Sequence, residues 1–87
     1  MENIYKYQLD FTVKQTVVGC FKNPLTVQIQ NGKPCMWAIV DDEIEKTELL
    51  IYMVGTGTYD VDEVNVSGKS YIGTTQINGL VFHWFYD

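Results

Sequence analysis

The sequence contains no arginine. Its basic residues are all lysine (Lys6, Lys14, Lys22, Lys33, Lys46 and Lys69), scattered one to a segment. Long DNA or RNA is held by clustered cations, and bidentate phosphate recognition favours a guanidinium. A role on long nucleic acid is therefore not expected. Eleven acidic groups bring the net charge to −5, an ordinary solubility charge for a small domain. Long apolar runs are missing too, since a membrane helix needs about 18 or more apolar residues in a row. The opening MENIYKYQLD holds no apolar leader segment. Neither membrane association nor secretion is expected. The expected location is the cytoplasm. There Cys20 and Cys35 stay reduced and the Asn65-Val66-Ser67 sequon goes unused.

Histidine occurs once, at His83, and cysteine twice. That scarcity limits the chemistry. Zinc would have two thiols and one imidazole, widely spaced. Cys20 with His83 is the one nucleophile–base pair to consider, and the two lie in distant segments. The acidic residues of DDEIEKT and of the Asp60–Glu63 stretch lack calcium-loop spacing. No Ser/His/Asp triad and no assignable carboxylate pair is present. The expectation is a protein that is not an enzyme, with no catalytic residue, no metal site and no cofactor.

What is abundant is β signal. A chain of 87 residues, 46% hydrophobic and 14% aromatic, makes one domain, residues 1–87, whose modest core leans on large aromatic side chains. Tyr5, Tyr7, Leu9, Phe11 and Val13 alternate with polar residues, which predicts one half-buried strand. Thr16 to Val18 form a short β-branched piece ended by Gly19, and Phe21-Lys22-Asn23-Pro24 reads as a turn.

Two Asn-Gly dipeptides, at 31–32 and 78–79, suit type I′ hairpin turns and set the register behind them. The first pairs Gln30 with Lys33, Val27 with Met36, Thr26 with Trp37 and Leu25 with Ala38. Pro34, without an N–H, then belongs at a sheet edge. The second pairs Ile77 with Leu80, Thr75 with Phe82, Thr74 with His83, Ile72 with Phe85 and Tyr71 with Tyr86. It sets Trp84 over the bare backbone of Gly73. Glu48 to Gly55 (ELLIYMVG) is apolar on both faces and reads as a central strand. The expected fold is all-β, a small antiparallel sandwich or barrel of six to seven short strands.

The stretch from Gly55 to Ser70 is long for a connection, and long loops often carry function. One helical turn near Asp60 to Val64 is expected within it. Two candidate binding patches follow. Thr74, Gln76 and His83 offer polar groups on one face of the last hairpin. Gly55 and Gly57, with Tyr59, Asp60 and Lys69, could form a backbone nest for an anion.

The segments IYKYQL, VQIQNGKPCMWAIVD, IYMVGTG and YIGTTQINGLVFHWFY together resemble a family of small proteins of unknown function from bacteriophages and prophage-carrying bacteria. The likeness fades over VKQTVVGCFKN and TYDVDEVNVSGKS. It implies a viral accessory protein at work in a bacterial cytoplasm. The expected role is to bind and inhibit a host protein, one related to defence, with strand addition at the Pro34 edge as one physical route. The alternative is a homo-oligomeric sponge for a small signalling nucleotide, with Tyr or Trp stacking the base and Lys holding phosphate. The expected partner is thus a host protein or a small anionic ligand.

Overall fold

The computed structural model describes residues 1–57 and 65–87. Seven strands appear in chain order: β1 (Glu2–Gln8), β2 (Lys14–Gly19), β3 (Phe21–Gln30), β4 (Lys33–Asp41), β5 (Thr47–Gly55), β6 (Ser70–Ile77) and β7 (Leu80–Tyr86). They form two antiparallel sheets, one of three strands in the order β1-β4-β3 and one of four in the order β2-β5-β7-β6. The fold is an all-β sandwich, and the sheets do not join into a closed barrel.

Alternation along the strands supplies the core. From the three-stranded sheet come Val27, Met36 and Ala38, and from the four-stranded one Leu49, Ile51, Met53, Ile72 and Trp84, all buried together. The Trp84 indole N–H donates to the Thr75 hydroxyl at 2.9 Å. Thr75 is the one buried polar residue among those described, so this bond satisfies both groups inside the core.

Both hairpin turns have the predicted form. Asn31 and Gly32 have φ of 53° and 77°, Asn78 and Gly79 of 51° and 79°, the left-handed pair a type I′ turn requires. The registers hold from Gln30–Lys33 back to Thr26–Trp37 and from Ile77–Leu80 back to Gly73–Trp84. Beyond those rungs each ladder slips by one residue. Pro24, not Leu25, faces Ala38, and Tyr71, not Ile72, faces Phe85, so Ser70 takes the place opposite Tyr86. Leu25 and Ile72 are the extra residues of β-bulges. The second bulge has a clear reason: Ile72 is buried in the core while Tyr71 stays on the outer face beside Phe85.

Four further expectations are corrected. The alternating segment Tyr5 to Val13 is not one strand. β1 ends at Gln8, Leu9 enters the core, and the chain crosses to the other sheet. The crossing is clasped by Gln15, whose side-chain amide accepts from the Asp10 N–H at 3.0 Å and donates to the Asp10 carbonyl at 2.8 Å. Phe21 to Pro24 is not a turn but the bulged start of β3, and Cys20 alone separates it from β2. Pro34 is not at an edge: β4 is the central strand, Pro34 is fully buried, and its carbonyl accepts from the Leu9 N–H at 2.8 Å. Leu9 and Pro34 form the next and last rung of the β1–β4 register, and this rung makes only the one bond, so the missing N–H costs the ladder a single bond at its end. Strand addition at Pro34 is thereby excluded. Last, the space beside Gly73 is taken by β3 and not by Trp84. A Cβ there would lie 3.2 Å and 3.3 Å from the backbone N and O of Val27, so glycine lets the edges of the two sheets meet. The helical turn expected at Asp60 to Val64 lies outside the described residues.

Candidate functional site

The outer face of the four-stranded sheet carries the predicted polar patch. β7 presents His83 and Phe85, β5 presents Tyr52 and Val54, and β6 presents Tyr71 and Thr74. Thr74 and His83 face each other and are bonded, Oγ1 to Nδ1, at 3.1 Å. Thr56 Oγ1 meets the other ring nitrogen, Nε2, at 2.6 Å. The Tyr71 hydroxyl bonds in turn to Thr74 Oγ1. His83 is thus held at both nitrogens by hydroxyl groups, within a chain running Thr56–His83–Thr74–Tyr71. Because each hydroxyl can donate or accept, the chain tolerates either neutral tautomer. Gln76 lies one rung further along, exposed and opposite Val81.

Thr56 was not readable as a partner of His83 from the sequence. Its signal is the register of β5 on β7: once Val54 faces His83, Thr56 follows on the same face.

The glycine patch is arranged differently. Gly55 ends β5, and Gly57 adopts a φ of 73° with open space around it. Lys69 turns to the sheet instead. Its Nζ lies 3.4 Å from the Asp87 carboxylate and 4.6 Å from the centre of the Tyr52 ring, a paired cation over an aromatic face. Tyr59 and Asp60 lie outside the described residues. Around Tyr52 and Val54 a second small cluster forms with Val13, Leu50, Val66 and Phe85. This sheet is therefore apolar and covered on its outer side as well, over part of its area.

The structure also shows a cleft that the sequence did not announce. It lies between β1 and the β2–β3 junction, capped by the β4–β5 connection, with a volume of about 310 Å³. Tyr5 and Tyr7 stand side by side on β1 and form one wall, and Val18 and Cys20 belong to the other. Lys46 and Asn3 also line it. The floor is tightly built: a Cβ on Gly19 would come within 2.8 Å of the Tyr7 hydroxyl oxygen and 2.9 Å of the Phe21 ring. Loss of solvation, with the Cys20 and Tyr5 side chains adding to it, holds the Tyr7 phenol above its usual pKa.

At the rim, the Met1 amine sits 2.8 Å from Asp42 Oδ1 and 3.2 Å from Asp41 Oδ1. Hydrogen bonds to Asp42 and then Asp41 raise the pKa of the amine. The backbone N–H of Glu43, then the amine, lower that of Asp41. The tyrosine pair is visible in the alternation of β1. The opposite wall comes from residues some dozen positions and more away, which no local pattern joins to it.

Cys20 and His83 do not meet. Cys20 lines this cleft, and His83 is on the outer face of the four-stranded sheet. Cys35 is buried on the outer side of β4, beneath the bond from Lys6 Nζ to Gln30 Oε1, which spans that strand at 2.6 Å. Both cysteines are free thiols. Among the described residues no three His, Cys, Asp or Glu side chains gather as metal ligands, and no helix is long and apolar enough to cross a membrane.

No curated protein and no solved structure matches the chain. The model of a domain of unknown function, DUF7352, matches it over residues 1–87, and the chain belongs to that family.

Proposed function

We propose that this chain acts by binding rather than catalysis, as a phage accessory protein that occupies and inhibits a defence-related host protein. One observation supports a protein-binding role: the two outer faces of the sandwich are unequal. On the four-stranded sheet, Tyr52 and Val54 are buried and Val66 packs against them. On the outer face of the three-stranded sheet Cys35 is buried beneath the Lys6–Gln30 bond, but Ile4, Trp37 and Ile39 belong to no buried cluster among the described residues. Ile4 is 62% exposed, directly opposite Ile39, with half-buried Trp37 on the same face. Aromatic and branched side chains on a rigid, half-wet surface are typical anchors for a protein partner. The viral setting and the host target rest on the sequence resemblance.

The test is capture from a bacterial lysate at low salt with tagged protein, run beside Trp37→Ala and Ile39→Ser. A single host protein at near-stoichiometric yield, lost in both variants, supports the reading. An empty capture, or a partner that ignores both substitutions, refutes it. The alternative, an oligomeric sponge for a small signalling nucleotide, draws support from the tyrosine-lined cleft. Ligand that binds only the native state must stabilise it, so a flat melting temperature across a broad nucleotide panel would remove that alternative.

A further inference from the structure

We infer that the outer face of the three-stranded sheet pairs with the same face of a second copy of this chain, in a reversible two-fold dimer. The face is that of the host-binding reading, but the pairing needs no host. Met36 and Ala38 point into the core, so the alternate residues of β4 point outward: Lys33, Cys35, Trp37, Ile39 and Asp41. Beside them β1 sets Lys6, Ile4 and Glu2. The middle of the face is apolar, made by Ile4, Ile39 and Trp37. Two bonds cross β4 and bound it, Lys22 to Glu2 at 3.5 Å on one side and Lys6 to Gln30 at 2.6 Å on the other. An apolar middle inside a polar rim is the anatomy of a protein interface.

Charge identifies the occupant. At the Asp41 end, the carboxylates of Glu2, Asp41, Asp42 and Glu43 are set against Lys22 and the Met1 amine alone. At the other end Lys6 and Lys33 have no ion-pair partner among the described residues, and Asp10, on the crossing to the other sheet, pairs with neither. One end thus has a surplus of negative charge and the other of positive. Sheets packed face to face keep their strands roughly aligned, so a two-fold axis between them runs either along the strands or across them. Along the strands, like ends meet. Across them, β4 lies antiparallel over its counterpart, and each acidic end meets a basic one. With Ala38 at the axis, Trp37 lies over Ile39 of the second copy, and Lys33 lies opposite Glu43. Shape agrees with this register: Ile4 and Ile39, with Glu2 and Asn3, line a shallow hollow of about 490 Å³, where the second copy's Trp37 arrives. Each face supplies both halves of the contact, as an isologous interface demands.

Area sets the strength. Three strands about 4.8 Å apart and about 30 Å long present roughly 400 Å² to a partner. The pair therefore buries less than the about 1,200 Å² at which stable complexes begin. The dimer is accordingly weak, with a dissociation constant on the order of 100 µM, and leaves the face open to a larger partner. Sedimentation equilibrium of the purified full chain over a concentration series is the test. Ile4→Ser, at an exposed position, should keep the native circular dichroism and weaken the dimer about tenfold, as should Trp37→Ala. Lys33→Glu should weaken it about three- to tenfold, since the altered pair occurs twice in each dimer. Adding Glu43→Lys to Lys33→Glu should restore it to within about twofold of the parent.

A monomer at every concentration up to about 1 mM, tenfold above the expected constant, overturns the proposal. So does a dimer that ignores both Ile4→Ser and Trp37→Ala, since another face would then be in contact. A double charge variant no tighter than Lys33→Glu alone overturns the antiparallel arrangement and the proposal with it. Host capture by a strict monomer removes the dimer and leaves the host-binding reading standing, and a variant-sensitive dimer that captures no host protein does the reverse.

Discussion

The bond between Trp84 and Thr75 is the most exacting test of this core. Trp84 is fully buried, its indole N–H donates to Thr75 Oγ1 at 2.9 Å, and Thr75 is itself 4% exposed. Trp84→Ala would remove the largest buried side chain, at about 3–5 kcal/mol. The whole domain holds about 4–13 kcal/mol at about 0.05–0.15 kcal/mol per residue, so that variant sits at the edge of folding. A gentler cycle isolates the bond. Thr75→Val keeps the shape but leaves the indole N–H buried without an acceptor, a loss of about 1–3 kcal/mol. Trp84→Phe trims the ring and leaves the hydroxyl without its donor, at about 2 kcal/mol, well short of full truncation. In the double variant neither polar group remains to be stranded. It should be more stable than the sum of the two losses predicts, by about 1–3 kcal/mol. Urea unfolding followed by far-ultraviolet circular dichroism is the assay, because Trp37 remains and complicates fluorescence once Trp84 is gone. Thr75→Val within about 0.5 kcal/mol of the parent, together with strict additivity, would refute the claim that the bond is buried and counted.

Two further outcomes follow from the packing. Gly73→Ala should lower the urea midpoint by the equivalent of about 1–3 kcal/mol, since the new methyl group meets the Val27 backbone and not a side chain that can swing aside; an unchanged midpoint would mean that β3 and β6 are not in contact. Tyr7, whose pKa is raised above 10 chiefly by loss of solvation, contributes a stability term that is fully present below pH 10 and is lost as the pH rises through the folded-state value. Tyr7→Phe should therefore flatten the alkaline limb of the stability–pH curve, measured by urea midpoints, and a limb of unchanged slope would contradict the assignment.

The sequence made the hairpins legible because Asn-Gly fixes both turn type and register over the nearest rungs. It hid the bulges because a pattern of period two has no mark for one extra residue: Ile72 reads as a partner of Phe85 until burial in the core demands that it slip. The alternation from Tyr5 to Val13 misled for a related reason. Residues on a crossover can keep the polarity of a strand while leaving its sheet, and the Gln15 clasp on Asp10 is a contact that local periodicity does not record. Pro34 was placed at an edge by a sound rule about donors, which the early end of the β1–β4 ladder satisfies in the middle of a sheet. Of the candidate residues, Thr74 and His83 came together because they sit on one hairpin. Thr56 and the walls of the cleft arrive from other segments, so only the fold brings them in.

Gly73 has a consequence for solubility. A sandwich of two open sheets has four edge strands, each a template on which another chain could lay a strand. Here β3 and β6 press against one another where the glycine removes the obstacle, and each blocks approach to the other. That leaves β1 and β2 as the outer margins. Both are short and carry charge, Glu2 and Lys6 on one and Lys14 on the other, the usual deterrents to a stray strand. Even a methyl group at position 73 would crowd the Val27 backbone and force it to give by a few tenths of an ångström, loosening the seam that shields both edges.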